Sequence, residues 1–279
     1  MLHELILLVI GIFGFSAAGY LDLRYTEFPD WLPYSMIILA LLVWGGVSFL
    51  AADFSFLINS AITGIVFLGI GLLLYFTKQW GDGDAWLLGA FGFLFHQPLK
   101  VFSATVQSGI FPYPAVALFN FFITGFVYLV VYSIALGILN KKETIKFFMQ
   151  AKKQKGKVYI GIVLIFIYSI FAHYFYSILI IPNTYFLYLP LFMAFIYVFM
   201  LYGRFVEQKL FKKKISVKKL RIGDVLVKNR WRGLTEKEVR ALQKKGGSVW
   251  IKEGVRFAPV FVLTLLVTML YGSLVGLFV

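Results

Sequence analysis

The stretch that decides the fold is LINSAITGIVFLGIGLLLYF (residues 57–76), followed by TKQWGDGD (77–84) and AWLLGAFGFLF (85–95). The outer two pieces are almost wholly apolar, and the first has the length that a helix needs to cross a bilayer. The piece between them carries two carboxylates. Because a charge at membrane depth costs roughly 2.5 to 3.5 kcal/mol even on insertion scales, Asp82 and Asp84 indicate a functional site.

The whole chain has the composition of a polytopic membrane protein. Of its 279 residues, 60% are hydrophobic and 14% are charged, whereas about a quarter are charged in soluble domains. The first apolar segment has no basic region before it and is followed by acidic residues, so we interpret it as a retained helix. The absence of cysteine excludes disulfides and thiolate zinc sites. The three histidines are too scattered to indicate a metal cluster, and we expect no metal and no cofactor.

The apolar segments predict an all-α bundle of about eight transmembrane helices, of which one is short. The predicted helices cover residues 2–21, 32–51, 56–76, 85–95, 113–138, 158–181, 185–203 and 257–278. The fourth is too short to cross alone unless it extends or tilts. We expect five regions, namely a membrane core (1–139), a basic cytoplasmic loop (140–157), a helix pair (158–203), a basic cytoplasmic segment (204–256) and a C-terminal membrane helix (257–279).

The net charge of +14 is concentrated in two stretches. Residues 141–157 hold seven basic and one acidic residue, and residues 204–256 hold seventeen basic and five acidic residues. Basic loops remain in the cytoplasm, where they meet anionic lipid. We therefore expect a multi-pass protein of the cell membrane, with anionic lipids and not nucleic acid as partners of these stretches. Alternation of sides then places both termini outside, and the loops 21–31 and 77–84 in the cytoplasm.

Two carboxylates are thus predicted at the same membrane face. Asp22 ends the first apolar segment and Asp84 precedes the short helix, provided that this helix is a true crossing. Gly81 and Gly83 permit close approaches that are forbidden to residues with a side chain. Small residues let membrane helices pack closely, so we expect the first and third helices to pack together. The small residues on which this expectation rests are Gly11, Gly14, Ala17, Ala18, Gly19, Ala61, Gly64, Gly69 and Gly71.

The basic segment 204–256 is the only stretch long enough for a soluble subdomain. Thr235 and Glu238 form the pattern of a capping box, which predicts a helix from about 236 to 245. Val239 and Leu242 make an apolar stripe too narrow for an independent core. We expect the segment to lie against the membrane or the rest of the protein.

The acidic residues and their neighbours resemble a known family, the type IV prepilin peptidases and archaeal preflagellin peptidases. The run at residues 81–84 is similar to the Gly-x-Gly-Asp motif of these membrane aspartyl proteases, and Asp22 precedes a Phe28-Pro29 pair at a similar spacing. Residues 232–259 resemble the C-terminal module of an archaeal branch. Trp86 stands where many members have a basic residue. The zinc-binding cysteine loop of many bacterial members is absent, which favours the archaeal branch.

The resemblance implies that Asp22 and Asp84 are the catalytic pair of an aspartic endopeptidase. One carboxylate activates a water molecule, and its protonated partner donates to the scissile carbonyl. Asp82, like Gly81 and Gly83, is expected to be a motif residue and not a third catalyst. The implied substrates are precursor pilins or archaellins, cut behind a short basic leader at the cytoplasmic face.

The leader itself is expected to be attracted by Glu27 and Asp30. The two loops that carry the catalytic pair contain five acidic and two basic residues in an otherwise basic chain. Clefts lined by one sign of charge concentrate ligands of the opposite sign.

Other interpretations remain open at this point. The chain is alternatively a transporter in which Asp22, Asp82 and Asp84 bind a proton or cation, or a non-catalytic membrane scaffold. Asp84 is alternatively a helix cap, and Asp22 a partner of Arg24. The sequence determines neither the particular precursor nor the oligomeric state.

Overall fold

The computed structural model describes residues 2–99, 111–153, 155–177, 188–227, 233–252 and 254–274. Within these ranges lie α1 (Leu2–Tyr25), α2 (Trp31–Ala51), α3 (Ser55–Phe76), α4 (Asp82–Leu94), α5 (Tyr113–Leu139), α6 (Lys141–Lys153), α7 (Lys155–Ser177), α8 (Tyr188–Phe205), α9 (Glu236–Lys245) and α10 (Pro259–Tyr271). The strands are β1 (Lys212–Ser216), β2 (Val225–Leu226) and β3 (Ser248–Lys252). The chain divides into two units, Met1–Leu129 with Gly254–Val279, and Val130–Glu253.

Helix α4 is the centre of the first unit. Nine of its residues are buried, and it packs against α3, α2, α1 and α10. Its 13 residues make a helix of about 20 Å, which is shorter than the apolar layer of a bilayer, about 30 Å thick. A short fourth helix is therefore confirmed, but it begins at Asp82 and is enclosed by neighbouring helices. Its crossing of the membrane stays a prediction.

The glycines of α1 and α3 do not form the predicted α1–α3 contact. A Cβ added to Gly71 of α3 would lie 2.7 Å from the Cα of Ala85 in α4. A Cβ added to Gly19 of α1 would lie 3.1 Å from the Cα of Pro259 in α10. The expectation that α1 and α3 pack together is wrong because α4 takes the place beside α3 and also contacts α1.

The all-α, multi-pass membrane class is confirmed. Among the described residues, four helices are long and apolar enough to cross a membrane, namely α1, α2, α3 and α5. Shorter apolar helices cover Tyr159–Phe171 and Pro259–Tyr271. The predicted helix ends at 178–181, 185–187 and 275–278 lie outside the described residues.

In the second unit, the segment predicted as a basic loop (140–157) contains helix α6 and the start of α7. Phe147 of α6 packs against Phe205 of α8, with ring centroids 4.6 Å apart. Ile145, Phe148 and Met149 of α6 are exposed. Since these three residues recur at helical spacing, they form one apolar face.

The basic segment of this unit contains a small antiparallel sheet with strand order β1-β3-β2, which the sequence did not predict. Helix α9 has the predicted bounds, and the capping box between Thr235 and Glu238 is formed. The sheet and the segments that connect its strands and α9 supply the apolar partners that the stripe of α9 lacks by itself. The resulting core consists of Val217, Leu220, Leu234, Val239 and Ile251.

Candidate active site

Asp22 lies in the last turn of α1 and is 7% exposed. The turn ends at Thr26, whose amide donates to the Asp22 carbonyl at 2.8 Å and whose φ is 65°. The Asp22 side chain accepts a hydrogen bond at Oδ2 from the amide of Ala258, at 3.0 Å. The alternative partner, Arg24, donates instead to the hydroxyl of Tyr20 at 2.6 Å.

Asp84 lies in the first turn of α4 and follows the N-cap residue, Gly81, in the sequence. Its carboxyl accepts a hydrogen bond from the backbone of Gly81, as the third residue of a capping box does. This contact is compatible with the capping role considered from the sequence. The hydrogen bond to Gly81 leaves the Asp84 carboxyl able to bind other groups, because a carboxyl group has two oxygens that accept hydrogen bonds.

The two predicted carboxyls are brought together. Asp84 lies close enough to Asp22 for their charges to repel each other, and Asp82 adds a weaker repulsion. Two carboxyl groups that share a site do not both ionise easily. Such a pair titrates as a unit. The arrangement is the one that general acid–base chemistry on a water molecule requires.

The loop between α1 and α2 packs directly on the motif. A Cβ added to Gly83 would lie 2.8 Å from Cζ of Phe28, so only glycine lets the ring reach the first turn of α4. Glu27 and Asp30 are exposed on the same loop. Asp30 precedes α2 without forming a side-chain cap. Both predicted leader-binding residues thus have carboxylates that a solute can reach from water.

Trp86 packs against Tyr34 of α2, with ring centroids 4.7 Å apart in an edge-to-face arrangement. The position at which the family often has a basic residue is therefore occupied by an aromatic contact between α2 and α4. Among the described residues, no group of three or more His, Cys, Asp and Glu side chains is placed to hold a metal ion.

The segment before α10 belongs to this site, and the sequence did not predict it. Nη1 of Arg256 donates to the carbonyl of Leu23 at 2.5 Å. The ring of Phe257 lies 5.3 Å from that of Trp80, which precedes the motif. The available sequence signals are a basic residue, Arg256, and an aromatic residue, Phe257, ahead of Pro259. Neither residue type indicates which part of the chain it contacts.

Fold and site together define a multi-pass helical membrane protein with two interacting carboxyls at neighbouring helix ends. Residues 8–139 match the family model of the type IV leader peptidase family. This region, which includes both carboxyls, covers just under half of the chain and is similar to that family. The match supports a leader peptidase function in general. No curated protein and no solved structure matches the chain.

Proposed function

We propose that the protein is an aspartic endopeptidase of the cell membrane, with Asp22 and Asp84 as its catalytic residues. It removes the short basic leader of prepilin-like or preflagellin precursors. The observation that carries this proposal is the proximity of the two carboxyls, one buried and one partly exposed, at the junction of α1 and α4.

The chemistry needs one proton shared by the pair. The ionised carboxylate takes a proton from a water molecule while the oxygen of that water attacks the scissile carbonyl carbon. The protonated carboxyl donates to the carbonyl oxygen and stabilises the charge that develops there. Collapse of the tetrahedral intermediate breaks the C–N bond, and the leaving amine takes up a proton. Since the pair titrates as a unit, the roles of acid and base belong to the pair.

The substrate class is supported by the charges around the pair. Glu27 and Asp30 are exposed and attract a basic leader. The positions of the basic stretches along the chain favour the cytoplasmic face for this end of the helices.

A transporter is the less favoured alternative. Transporter sites of this kind lie near the bilayer midplane, where helices are broken. Helices α1 and α4 are continuous, and Asp22 and Asp84 lie in their terminal turns. A terminal position suits cleavage at a membrane surface.

The second unit supplies a surface for anionic lipid. Helix α6 exposes an apolar face, and Lys142 and Lys146 beside it are also exposed. A basic amphipathic helix of this kind lies in the plane of the interface, where each lysine near an anionic surface contributes about 1 kcal/mol.

The deciding experiment incubates the detergent-solubilised protein with a precursor pilin and measures cleavage before the hydrophobic segment. Asp22→Asn and Asp84→Asn are each expected to lower the rate at least about a hundredfold, the usual contribution of a positioned acid or base. Asp82→Asn is the matched control, because it makes the same change in the same motif, and it should retain most of the activity. Full cleavage by folded Asp22→Asn or Asp84→Asn protein would contradict the proposal.

A further inference from the structure

We infer that residues 256–258 are part of the active site and hold Asp22 in its working position. The inference rests on the proposed role of Asp22 as a reacting carboxyl. These residues lie more than a hundred positions beyond the region that matches the family. They act through Asp22 and not on the substrate, so they are positioning residues.

The first contact is the hydrogen bond between the Ala258 amide and Oδ2 of Asp22, at 3.0 Å. Ala258 is fully buried, and Asp22 is buried as well. A hydrogen bond from an amide to a carboxylate is charge-assisted and stronger than one between neutral groups. It fixes one oxygen of the carboxylate and leaves Oδ1 for the reacting groups.

The second contact holds the end of α1. Arg256 donates to the carbonyl of Leu23, one of the last-turn carbonyls that has no acceptor role inside a helix. The carbonyl of Arg256 in turn accepts a hydrogen bond from the hydroxyl of Tyr128 in α5, at 2.6 Å. The segment is therefore held by α5, and it in turn holds Leu23, the residue next to Asp22.

The third contact is with the segment that carries the other carboxyl, Asp84. Phe257 packs against Trp80 and against Phe121, with ring centroids 5.3 and 5.9 Å apart. Trp80 immediately precedes Gly81, whose backbone binds Asp84. Residues 256–258 thus contact both chain segments that carry the carboxyls. By these contacts they fix the distance between Asp22 and Asp84.

The amide can be removed by a single substitution. Ala258 has φ −54°, which is compatible with proline, so Ala258→Pro deletes the donor. Ala258→Gly is the matched control, since it keeps the amide. We expect Ala258→Pro to lower kcat about 10- to 100-fold, as for loss of a hydrogen bond to a charged group, with KM changed less than about twofold. Ala258→Gly should keep kcat within about threefold.

If Ala258→Pro does not fold, a second pair of variants tests whether residues 256–258 position Asp22. Arg256→Met removes the donor to Leu23, whereas Arg256→Lys keeps a donor and a charge. We expect Arg256→Met to lower kcat about tenfold at unchanged KM, and Arg256→Lys to recover most of the loss. Thermal unfolding of each purified variant identifies those that are folded.

The outcomes separate this inference from the proposed function. Absence of cleavage by the unsubstituted protein would contradict the proposed function. Cleavage by the unsubstituted protein, together with normal kcat in folded Ala258→Pro or in Arg256→Met, would overturn the inference alone. A loss that appears only in KM would also overturn it, because it would assign these residues to substrate binding.

Discussion

At the scale of single residues, the site depends on carboxylates that are held differently. Asp22 is buried and bound by a backbone amide from a distant segment, whereas Asp84 is partly exposed and bound by its own helix N-terminus. Glu27 and Asp30 are exposed on the adjoining loop. These environments predict different consequences for substitutions that remove the same charge.

Neutralising Glu27 and Asp30 together is expected to raise KM for a basic leader several-fold while kcat stays nearly constant, because exposed charges attract the substrate without touching the reacting bond. Steady-state cleavage at low and high salt measures the effect, which should fade as salt screens the charges.

Asp53→Asn serves as the control for that experiment. Asp53 follows the opposite end of α2 from Asp30, so the loss of a carboxylate there should leave KM unchanged. A KM that is equal in the double variant and in the unsubstituted protein would refute the role of Glu27 and Asp30.

A second residue-scale prediction concerns Gly83. Gly83→Ala places a Cβ 2.8 Å from the ring of Phe28, so either the ring or the first turn of α4 must shift. We expect cleavage to fall and the free energy of unfolding to drop by about 1 to 3 kcal/mol, the usual cost of overpacking. Phe28→Leu in the same chain should recover part of both losses, which a double-mutant cycle measures.

Gly81→Ala is the matched control for Gly83→Ala. Its added Cβ would lie 3.7 Å from Oδ2 of Asp84, an ordinary contact, and its extended backbone accepts any residue. An equal effect of the two substitutions would show that contact with Phe28 does not explain the need for glycine.

At the scale of elements, α4 owes its position to the close approach of α3. At Gly71, an added Cβ would lie 2.7 Å from the Cα of Ala85, which is a backbone atom of α4. Neither partner has a flexible side chain that can move away. The position of Asp84, one residue before Ala85, therefore depends on a glycine of another helix.

Gly71→Ala is expected to lower the free energy of unfolding by about 1 to 3 kcal/mol and to reduce cleavage, because α4 must move away from α3. Gly69→Ala makes the same change two residues earlier on α3, where an added Cβ meets nothing within 4 Å. It should be neutral or slightly stabilising, since alanine favours a helix by about 1 kcal/mol over glycine. Thermal unfolding and cleavage of both variants test this, and similar losses in both would contradict it.

The elements also show where prediction from sequence succeeds. The ends of α2 and α3 and the whole of α9 were predicted within about two residues, because helix length, apolar runs and capping boxes are local signals. The strands of the basic segment were missed. Their lysines carry no alternating pattern, and the sheet becomes recognisable only when Ile251 and Val217 meet around Val239.

At the scale of the whole molecule, charge is distributed unequally along the chain. The two basic stretches hold 24 of the 27 Lys and Arg residues, and both lie in the second unit or at its boundary. The family match covers residues 8–139. The proposed lipid contact and the proposed proteolysis thus fall largely in different parts of the chain.

The expected consequence is that anionic lipid stabilises the protein. Thermal unfolding in nanodiscs containing phosphatidylglycerol should occur at a higher temperature than in nanodiscs of phosphatidylcholine alone, because a ligand that binds the folded state raises its stability. Combined Lys142→Gln and Lys146→Gln substitutions should reduce this difference, while Lys78→Gln, in the first unit, should not. An identical lipid effect in all three proteins would refute the role of α6.

The membrane class, most helix positions and the two candidate carboxyls could be predicted from the sequence, because span length and the cost of a charge in lipid are local properties. The contacts between helices and the partner of Asp22 could not be predicted, because they depend on the tertiary structure. That partner, Ala258, lies 236 residues away and contributes a backbone amide that every residue but proline possesses. Because almost every residue has a backbone amide, the residue type at position 258 does not indicate the contact with Asp22.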